Sequence, residues 1–152
     1  MTRPTTRRPV LFGRLLRLAR RPERPTDGRR DPIGPAGERV AAKELRRAGY
    51  RLIARNVRTA SGEVDLICLA PDKRTIVFVE VKTRRVSTGA KAAHRPETSV
   101  GARKQEKLRR LAREVARRRD WTDRPLRIDV VTVEWPERGR PIVRHTQRAV
   151  RG

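Results

Sequence analysis

Three charged residues, Asp65, Glu80 and Lys82, stand inside apolar, β-branched segments of the sequence. Acids are scarce in this chain, which holds 17 Asp and Glu residues against 40 Lys and Arg residues. The two segments flank a Pro-Asp-Lys-Arg stretch that is typical of a turn between paired strands. An acid-x-Lys triplet arises often by chance, so its meaning depends on which residues lie opposite it.

A hairpin centred between Asp72 and Lys73 brings two carboxylates together. Its directly opposed pairs are Asp65 with Glu80 and Glu63 with Lys82. Because side chains alternate faces with a period of two, the strands place all four on one face. Opposed Cβ atoms lie about 5 Å apart, and two carboxylates at that distance repel each other unless one is protonated or a cation lies between them. The spacing therefore predicts a divalent metal site, while a solvent-facing hairpin with charged cross-strand pairs is the alternative.

The predicted ligands determine the chemistry of such a site. Carboxylate oxygens suit Mg²⁺ or Mn²⁺, which keep several water molecules. An ion of this kind lowers the pKa of a coordinated water and neutralises charge on a phosphodiester. Lys82 lies beside Glu80 on the same face, where it is placed to orient or deprotonate the attacking water, or to stabilise the transition state. These residues predict a metal-dependent phosphodiesterase site.

A helix predicted over 38–48 supplies one more candidate. It follows a Gly/Pro-rich stretch and ends at Gly49, a residue typical of helix C-caps. At about 100° per residue, Glu38 shares a face with Ala41 and Leu45. We therefore expect Glu38 to point towards the sheet and to add a carboxylate to the site.

The remaining pattern predicts an α/β domain with the element order αβββαββ. Strands are predicted at 50–57, 63–70, 75–84, 126–135 and 141–150, and a second helix is predicted from an N-cap at Ser99 to Arg119. The first three strands form a meander. A mixed central sheet flanked by helices is the architecture that this order favours.

Several further charged residues are candidates for supporting the site or contacting DNA. Glu63 and Arg84 flank the predicted metal ligands, and Arg103 and Lys104 on the second helix are candidates to reach a phosphate. Lys104 at the edge of the core is equally explained by snorkelling. Asp129 either supports the site from a neighbouring strand or makes a structural hydrogen bond or a surface ion pair.

The other chemically distinctive residues receive structural interpretations. Cys68 is predicted to be a small buried hydrophobe. His94 and His145 have no partner at metal-ligand spacing and are predicted to be solvated. Trp121 and Trp135 are predicted to anchor packing.

The charge of the chain indicates a polyanionic partner. The formal net charge is +23, and such a surface displaces the counterions of nucleic acid. Residues 1–33 hold ten arginines and three acids and are predicted to form a disordered basic arm, but the domain predicted at 34–152 still carries thirty basic against fourteen acidic residues. A general bias towards arginine explains the same composition without any binding. An aromatic content of 3% argues against readers that stack single-stranded bases.

Hydropathy predicts a cytoplasmic protein without a membrane partner. No apolar run approaches the roughly 18 residues of a membrane span, and the charged N-terminal stretch lacks the apolar segment of a secretory signal.

Six short motifs carry a resemblance to a known family. They are G-x-x-G-E (Gly34, Gly37, Glu38), Ala48–Tyr50, Arg55–Arg58, Gly62–Ile67, Phe78–Arg84 and Ile128–Val131. From about Gly34 to Val150, the sequence resembles the YraN-like family of uncharacterised bacterial proteins. That family is similar to restriction endonucleases and archaeal Holliday-junction resolvases of the PD-(D/E)XK nuclease superfamily.

The resemblance implies a restriction-endonuclease-like three-layer domain and a role for each candidate. It implies that Asp65 and Glu80 are metal ligands, that Lys82 is the catalytic lysine, and that Glu38 is the helix carboxylate of the resolvase branch. Val64 stands where the motif of the superfamily has a proline.

The sequence thus predicts Mg²⁺- or Mn²⁺-dependent cleavage of DNA, with branched DNA as one candidate substrate and a homodimer as the form that cuts both strands of a junction. The alternatives are a nucleic-acid-binding accessory module that keeps the fold without turnover, and a structural protein whose arginines reflect composition alone.

Overall fold

The structure, a computed structural model, describes residues 33–87 and 101–150 of the chain. Its elements are α1 (Ile33–Arg47), β1 (Arg51–Thr59), β2 (Gly62–Leu69), β3 (Ile76–Val86), α2 (Ala102–Arg118), β4 (Leu126–Pro136) and β5 (Ile142–Val150). This order confirms the predicted αβββαββ. The predicted arm lies outside the described residues except for Ile33, and so do the predicted N-cap at Ser99 and His94.

The five strands form one mixed sheet in the order β1-β2-β3-β4-β5. β1, β2 and β3 are antiparallel neighbours, which confirms the meander. β4 runs parallel to β3 after the crossover through α2, and β5 returns antiparallel to β4. A parallel pair needs such a long connection, whereas an antiparallel pair closes with a short turn.

The helices cover opposite faces of the mixed sheet and complete a three-layer α/β architecture. One core lies under α1 and contains Leu45 of the helix with Leu66 and Val79 of the sheet. The other lies under α2 and contains Leu111 with Ile67 and other sheet residues. Because strand side chains alternate faces, neighbouring residues of β2 and β3 enter different cores.

The start of α1 differs from the prediction. The helix begins at Ile33, not at Glu38, so Gly34 and Pro35 belong to it. Proline is tolerated in the first turn, because the N–H that it lacks has no partner inside the helix there. The Gly/Pro stretch is therefore a helix start and not a linker.

The end of α1 confirms Gly49 as the C-cap. Gly49 has a φ of 84°, in the left-handed region. Its N–H donates to the Arg46 carbonyl at 3.0 Å, and the Tyr50 N–H donates to the Leu45 carbonyl at 2.9 Å. These two bonds form a Schellman motif, which satisfies carbonyls at the end of the helix.

The β2–β3 hairpin has the predicted register. Leu69 lies opposite Ile76, and Leu66 lies opposite Val79. The turn is fixed by Asp72, whose carboxylate accepts the backbone N–H groups of residues 74 and 75 at 2.8 and 2.9 Å. The Asp72 side chain therefore supplies the hydrogen bonds that hold the turn closed.

The predictions for Cys68 and Trp121 hold in the structure. Cys68 is buried and free, and burial raises the pKa of its thiol to about 12, so the thiol is neutral. Trp121 is buried in the core under α2, while Trp135 is partly buried against the core under α1. Packing explains all three residues.

Asp129 is fully buried and forms a structural network, not a part of the candidate site. Its carboxylate accepts two bonds from Arg127 at 2.8 and 2.9 Å, one from the Arg148 N–H at 3.0 Å, and lies 2.8 Å from Nε2 of His145. The prediction that His145 is solvated was wrong. The register of β4 and β5 shifts beside Asp129, and this irregularity brings His145 and the Arg148 N–H onto the carboxylate.

We predict that Asp129→Asn lowers the free energy of unfolding by about 3–5 kcal/mol, because it leaves the Arg127 guanidinium without its buried counter-charge. Burial raises the pKa of Asp129, but hydrogen bonds from His145 and Arg127 bring that pKa below its ordinary value. The stabilisation is therefore present above the unfolded pKa of about 3.9 and is lost as the pH falls below it.

Urea denaturation at neutral and acidic pH measures this difference. Asp123→Asn is the matched control, because Asp123 is exposed and a surface change of this kind stays within about 0.5 kcal/mol. Equal stabilities of wild type and Asp129→Asn at neutral pH would contradict the structural role.

Candidate active site

β2 and β3 separate at one end of their hairpin. Their pairing ends with Leu66 opposite Val79. Beyond this pair, β3 continues along β4 to Val86, while β2 extends along β1 to Gly62. We call the opening between the diverging strands the fork. Asp65 is the first residue of β2 on the open side of the fork.

The Asp65 carboxylate bridges the fork. Its Oδ2 accepts a hydrogen bond of 2.7 Å from the backbone N–H of Val81 on β3. The pKa of Asp65 is raised to about 6, first by burial and then by the carboxylates of Glu80, Glu38 and Glu63, against the opposing effect of this bond. The predicted acids thus act on one another electrostatically around the fork.

The regular alternation of β2 breaks at the fork. Val64 and Ile67 both belong to the core under α2, although residues three apart in a regular strand face opposite sides. Asn56 on the neighbouring strand has a φ of 50°, outside the usual range of a strand. The alternation along β2 is therefore broken between Val64 and Leu66, which lie on either side of Asp65 and pack in different cores.

Glu63 pairs across the β1–β2 ladder. Its Oε2 lies 3.3 Å from Nε of Arg58, which is opposite it in the register. Glu63 therefore contributes charge near the fork while its carboxylate is engaged with an exposed arginine.

Glu80 faces α2 and forms an ion pair there. It is in phase with Ile76 and Phe78, which pack in the core under α2. The Lys104 ammonium donates to Oε1 of Glu80, so the predicted supporting lysine binds a predicted metal ligand. Lys82 is half-buried and lies two residues further along the same face. An ammonium group already partly neutralises Glu80 in this structure.

The position of Glu38 depends on the glycine before it. Gly37 is buried, and a Cβ added there would overlap the side chain of Thr83, whose own Cβ would lie 2.9 Å away. The missing side chain lets the start of α1 lie directly on β3. Glu38 is half-buried beside this contact, on the face with Ala41 and Leu45 as predicted.

The predicted metal centre stays a prediction. Within residues 33–87 and 101–150, no three Asp, Glu, His or Cys side chains are grouped so that they could hold a metal ion. The two carboxylates of Asp65 and Glu80 nonetheless suit Mg²⁺, which binds through one or two carboxylates and completes its shell with water and phosphate oxygens. The donor set fits a hard ion shared with substrate better than a closed protein cage.

Arg84 belongs to a charged group with Glu134 and Arg144, two residues that the sequence analysis missed. Its guanidinium donates to Oε1 of Glu134, with Nε at 3.2 Å, while Nη1 of Arg144 donates to Oε2 of Glu134 at 2.7 Å. The β3–β4 register sets Arg84 beside Glu134 and the β4–β5 register brings Arg144 near it, and the sequence pattern contains neither register. Arg103 is exposed in the first turn of α2.

Asp129 lies on the other side of the sheet from Glu80. It is beside Val79 in the β3–β4 register and in phase with Val131, both of which pack under α1. It is fully buried and bonded to Arg127, His145 and the Arg148 N–H, so the geometry supports its structural interpretation.

Neither helix of the described chain combines the length and the apolar character needed to cross a lipid bilayer.

Comparisons with known proteins identify relatives. The sequence model of a family described as Uncharacterised protein family UPF0102 matches residues 37–133. A UPF0102 protein of Symbiobacterium thermophilum is 47% identical over 117 residues, which cover 77% of this chain and 94% of that protein. A UPF0102 protein of Streptomyces griseus is 39% identical over 125 residues, which cover 78% of this chain and 95% of that protein. These relatives carry a family name without an activity.

The chain is also similar to a solved structure of Pyrococcus furiosus SfsA in complex with Ca²⁺. It shares 18% sequence identity and a TM-score of 0.35, and the match covers 76% of this chain and 62% of that chain. At this TM-score the likeness supports no argument.

We predict that Gly37→Ala lowers the free energy of unfolding by about 1–3 kcal/mol, because the added methyl group overpacks the contact with Thr83. Gly34→Ala is the control, since an added Cβ there meets nothing within 4 Å and alanine favours the helix. Urea denaturation should give opposite signs for the two variants. A Gly37→Ala protein as stable as Gly34→Ala would disprove the close approach.

We predict that Asp65→Asn stabilises the metal-free protein at neutral pH. The folded-state pKa of about 6 lies above the ordinary value of 3.8, so ionisation of Asp65 disfavours the folded state. The stability of wild type relative to Asp65→Asn should fall between about pH 4 and pH 6 and stay level above that range. Thermal unfolding across this range in EDTA measures the effect. A difference that does not change with pH would show that the carboxyl is not perturbed.

Proposed function

The chain belongs to the uncharacterised protein family UPF0102, whose name states no activity, and from the residues around the fork we propose that it is a metal-dependent nuclease that hydrolyses DNA phosphodiester bonds. The observation that carries the proposal is the gathering of carboxylates around Asp65 at an opening in the sheet, with Lys82 on the adjacent strand. Perturbed acids of this kind are typical of functional sites.

Asp65 and Glu80 would hold the ion, Mg²⁺ or Mn²⁺, with Glu38 as a further carboxylate from α1. When bound, such an ion lowers the pKa of a coordinated water and offsets negative charge on the phosphodiester. The Val81 N–H fixes the orientation of the Asp65 carboxylate before anything binds. A preset ligand orientation reduces the entropy lost on binding.

Lys82 would act on the reacting groups. Its ammonium is anchored on β3 beside Glu80, where it would orient the attacking water or stabilise charge that develops on the phosphoryl oxygens. A rigid strand holds such a group more reliably than a mobile loop. Lys104 would balance the charge of Glu80 when no ion is present.

The basic surface would supply the affinity for DNA. Residues 34–152 carry an excess of basic side chains, which suits a partner recognised through its phosphates. Branched DNA is the substrate that we favour, with a homodimer cutting both strands of a junction. Such a substrate implies a cytoplasmic protein.

The second candidate function is a nucleic-acid-binding accessory module without turnover. It is favoured by the Lys104–Glu80 ion pair, which occupies a predicted ligand with a protein cation. It is also favoured by the absence, among the described residues, of a group of three side chains able to hold a metal. Both candidates bind DNA and differ only in cleavage.

We predict Mg²⁺- or Mn²⁺-dependent cleavage of linear, nicked or four-way-junction DNA by the wild type. Asp65→Ala and Lys82→Ala should each reduce the rate by about 10²-fold or more, since each removes a group that acts on the reacting phosphate. Gel analysis of labelled DNA in Mg²⁺, Mn²⁺ or EDTA measures the rates. Lys43→Ala, which changes an exposed lysine on the outer face of α1, is the matched control.

The outcomes separate the two candidates. Cleavage that persists in EDTA, or at the wild-type rate in Asp65→Ala, would rule out the proposed metal site. Tight, salt-sensitive binding without cleavage by any form would favour the accessory module.

A further inference from the structure

Glu134 is a buried carboxylate held between two exposed arginines. Its side chain is 4% exposed, whereas those of Arg84 and Arg144 are 45% and 48% exposed. Each oxygen of Glu134 accepts from a different guanidinium. The two arginines hold the pKa of Glu134 below its ordinary value, so the group is ionised at neutral pH. One carboxylate thus positions two cations, and the group keeps a net positive charge.

This group stands on the same face of the sheet as the candidate active site. Arg84 lies two residues beyond Lys82 on β3, about 6.6 Å further along the strand. Thr132 on β4 lies opposite Lys82 on one side and opposite Arg144 on the other, so these three residues form one row across the sheet. Arg144 is therefore two strands from Lys82, or about 10 Å. The spacing suits a second contact with the same polyanion.

A purely structural role does not explain the whole arrangement. One arginine is enough to neutralise a buried glutamate, and a second adds a half-exposed guanidinium and its own ordering cost. Hydrogen bonds to Glu134 hold both planar forks in place, which lowers the entropy that a bound anion must remove. Paired guanidiniums with fixed orientation recognise phosphate oxygens better than mobile lysines do.

We propose that Arg84 and Arg144, positioned by Glu134, form a phosphate seat that binds a non-reacting backbone phosphate of DNA beside the fork. The inference rests on the proposed function, because it gives the substrate of that site a second point of attachment. Glu134 acts through the two arginines and is a positioning residue. The seat makes no contact with the reacting phosphate. It contributes affinity for DNA and fixes the position of the DNA relative to the fork.

The test measures binding of a labelled DNA duplex of about 20 base pairs in EDTA, where no cleavage occurs, at several salt concentrations. The double variant Arg84→Lys/Arg144→Lys keeps the charge and removes the planar forks. We expect its Kd to rise about tenfold. The matched control is Arg47→Lys/Arg118→Lys, which changes two arginines that also pair with glutamates but lie in the last turns of α1 and α2. Its Kd should stay within about twofold of the wild type.

Glu134→Gln separates positioning from charge. It raises the net charge of the protein by one, so simple attraction to the duplex predicts tighter binding. The phosphate seat predicts weaker binding, because the two arginines lose their ionic anchor. Thermal unfolding confirms that each variant is folded, and the charge-conserving double variant still tests the seat if Glu134→Gln is unstable.

Unchanged binding by the double variant, tighter binding by Glu134→Gln, or a wild type that does not bind the duplex would overturn the inference. Its failure is distinct from failure of the proposed nuclease. Weakened binding in both variants of a protein that never cleaves DNA would support the seat and refute the activity, while unchanged binding with metal-dependent cleavage would do the reverse.

Discussion

The hydrogen bond from the Val81 N–H to the Asp65 carboxylate is the interaction on which the site depends. It joins β2 to β3 where backbone pairing between them has ended, and it places an acid in a half-buried opening of the sheet. A buried carboxylate disfavours its charged form, and the neighbouring acids increase that effect. Burial and the neighbouring acids at the fork therefore both disfavour ionisation of Asp65.

The two helices shape the fork from opposite faces. On one face, Gly37 lets the start of α1 lie against Thr83 and brings Glu38 close to the sheet. On the other face, α2 supplies Lys104 to Glu80. The two helices that cover the cores thus also bring Glu38 and Lys104 to the fork. The packing of the helices on the sheet therefore determines the charges around the fork.

The sequence predicted the elements that local patterns determine. The turn at Asp72 and the apolar alternation were enough to give the β2–β3 register, and Gly49 marked the end of α1. It did not reveal the start of α1, because Gly34 and Pro35 are as typical of a linker as of a first turn. The sequence pattern also did not predict the side-chain contacts between strands that are distant in the chain. The Asp129–His145 contact requires a register shift in β5, and the group around Glu134 requires the parallel register of β3 and β4. Such features arise from tertiary pairing, which a one-dimensional pattern does not contain.

Anomalous diffraction from crystals soaked in Mn²⁺ would show whether the fork binds a metal ion, because it locates the ion without requiring turnover. We expect a peak at coordination distance from both Asp65 and Glu80, with the Lys104 ammonium displaced from Glu80. A fork without a peak, in which Lys104 still binds Glu80, would disprove the metal site.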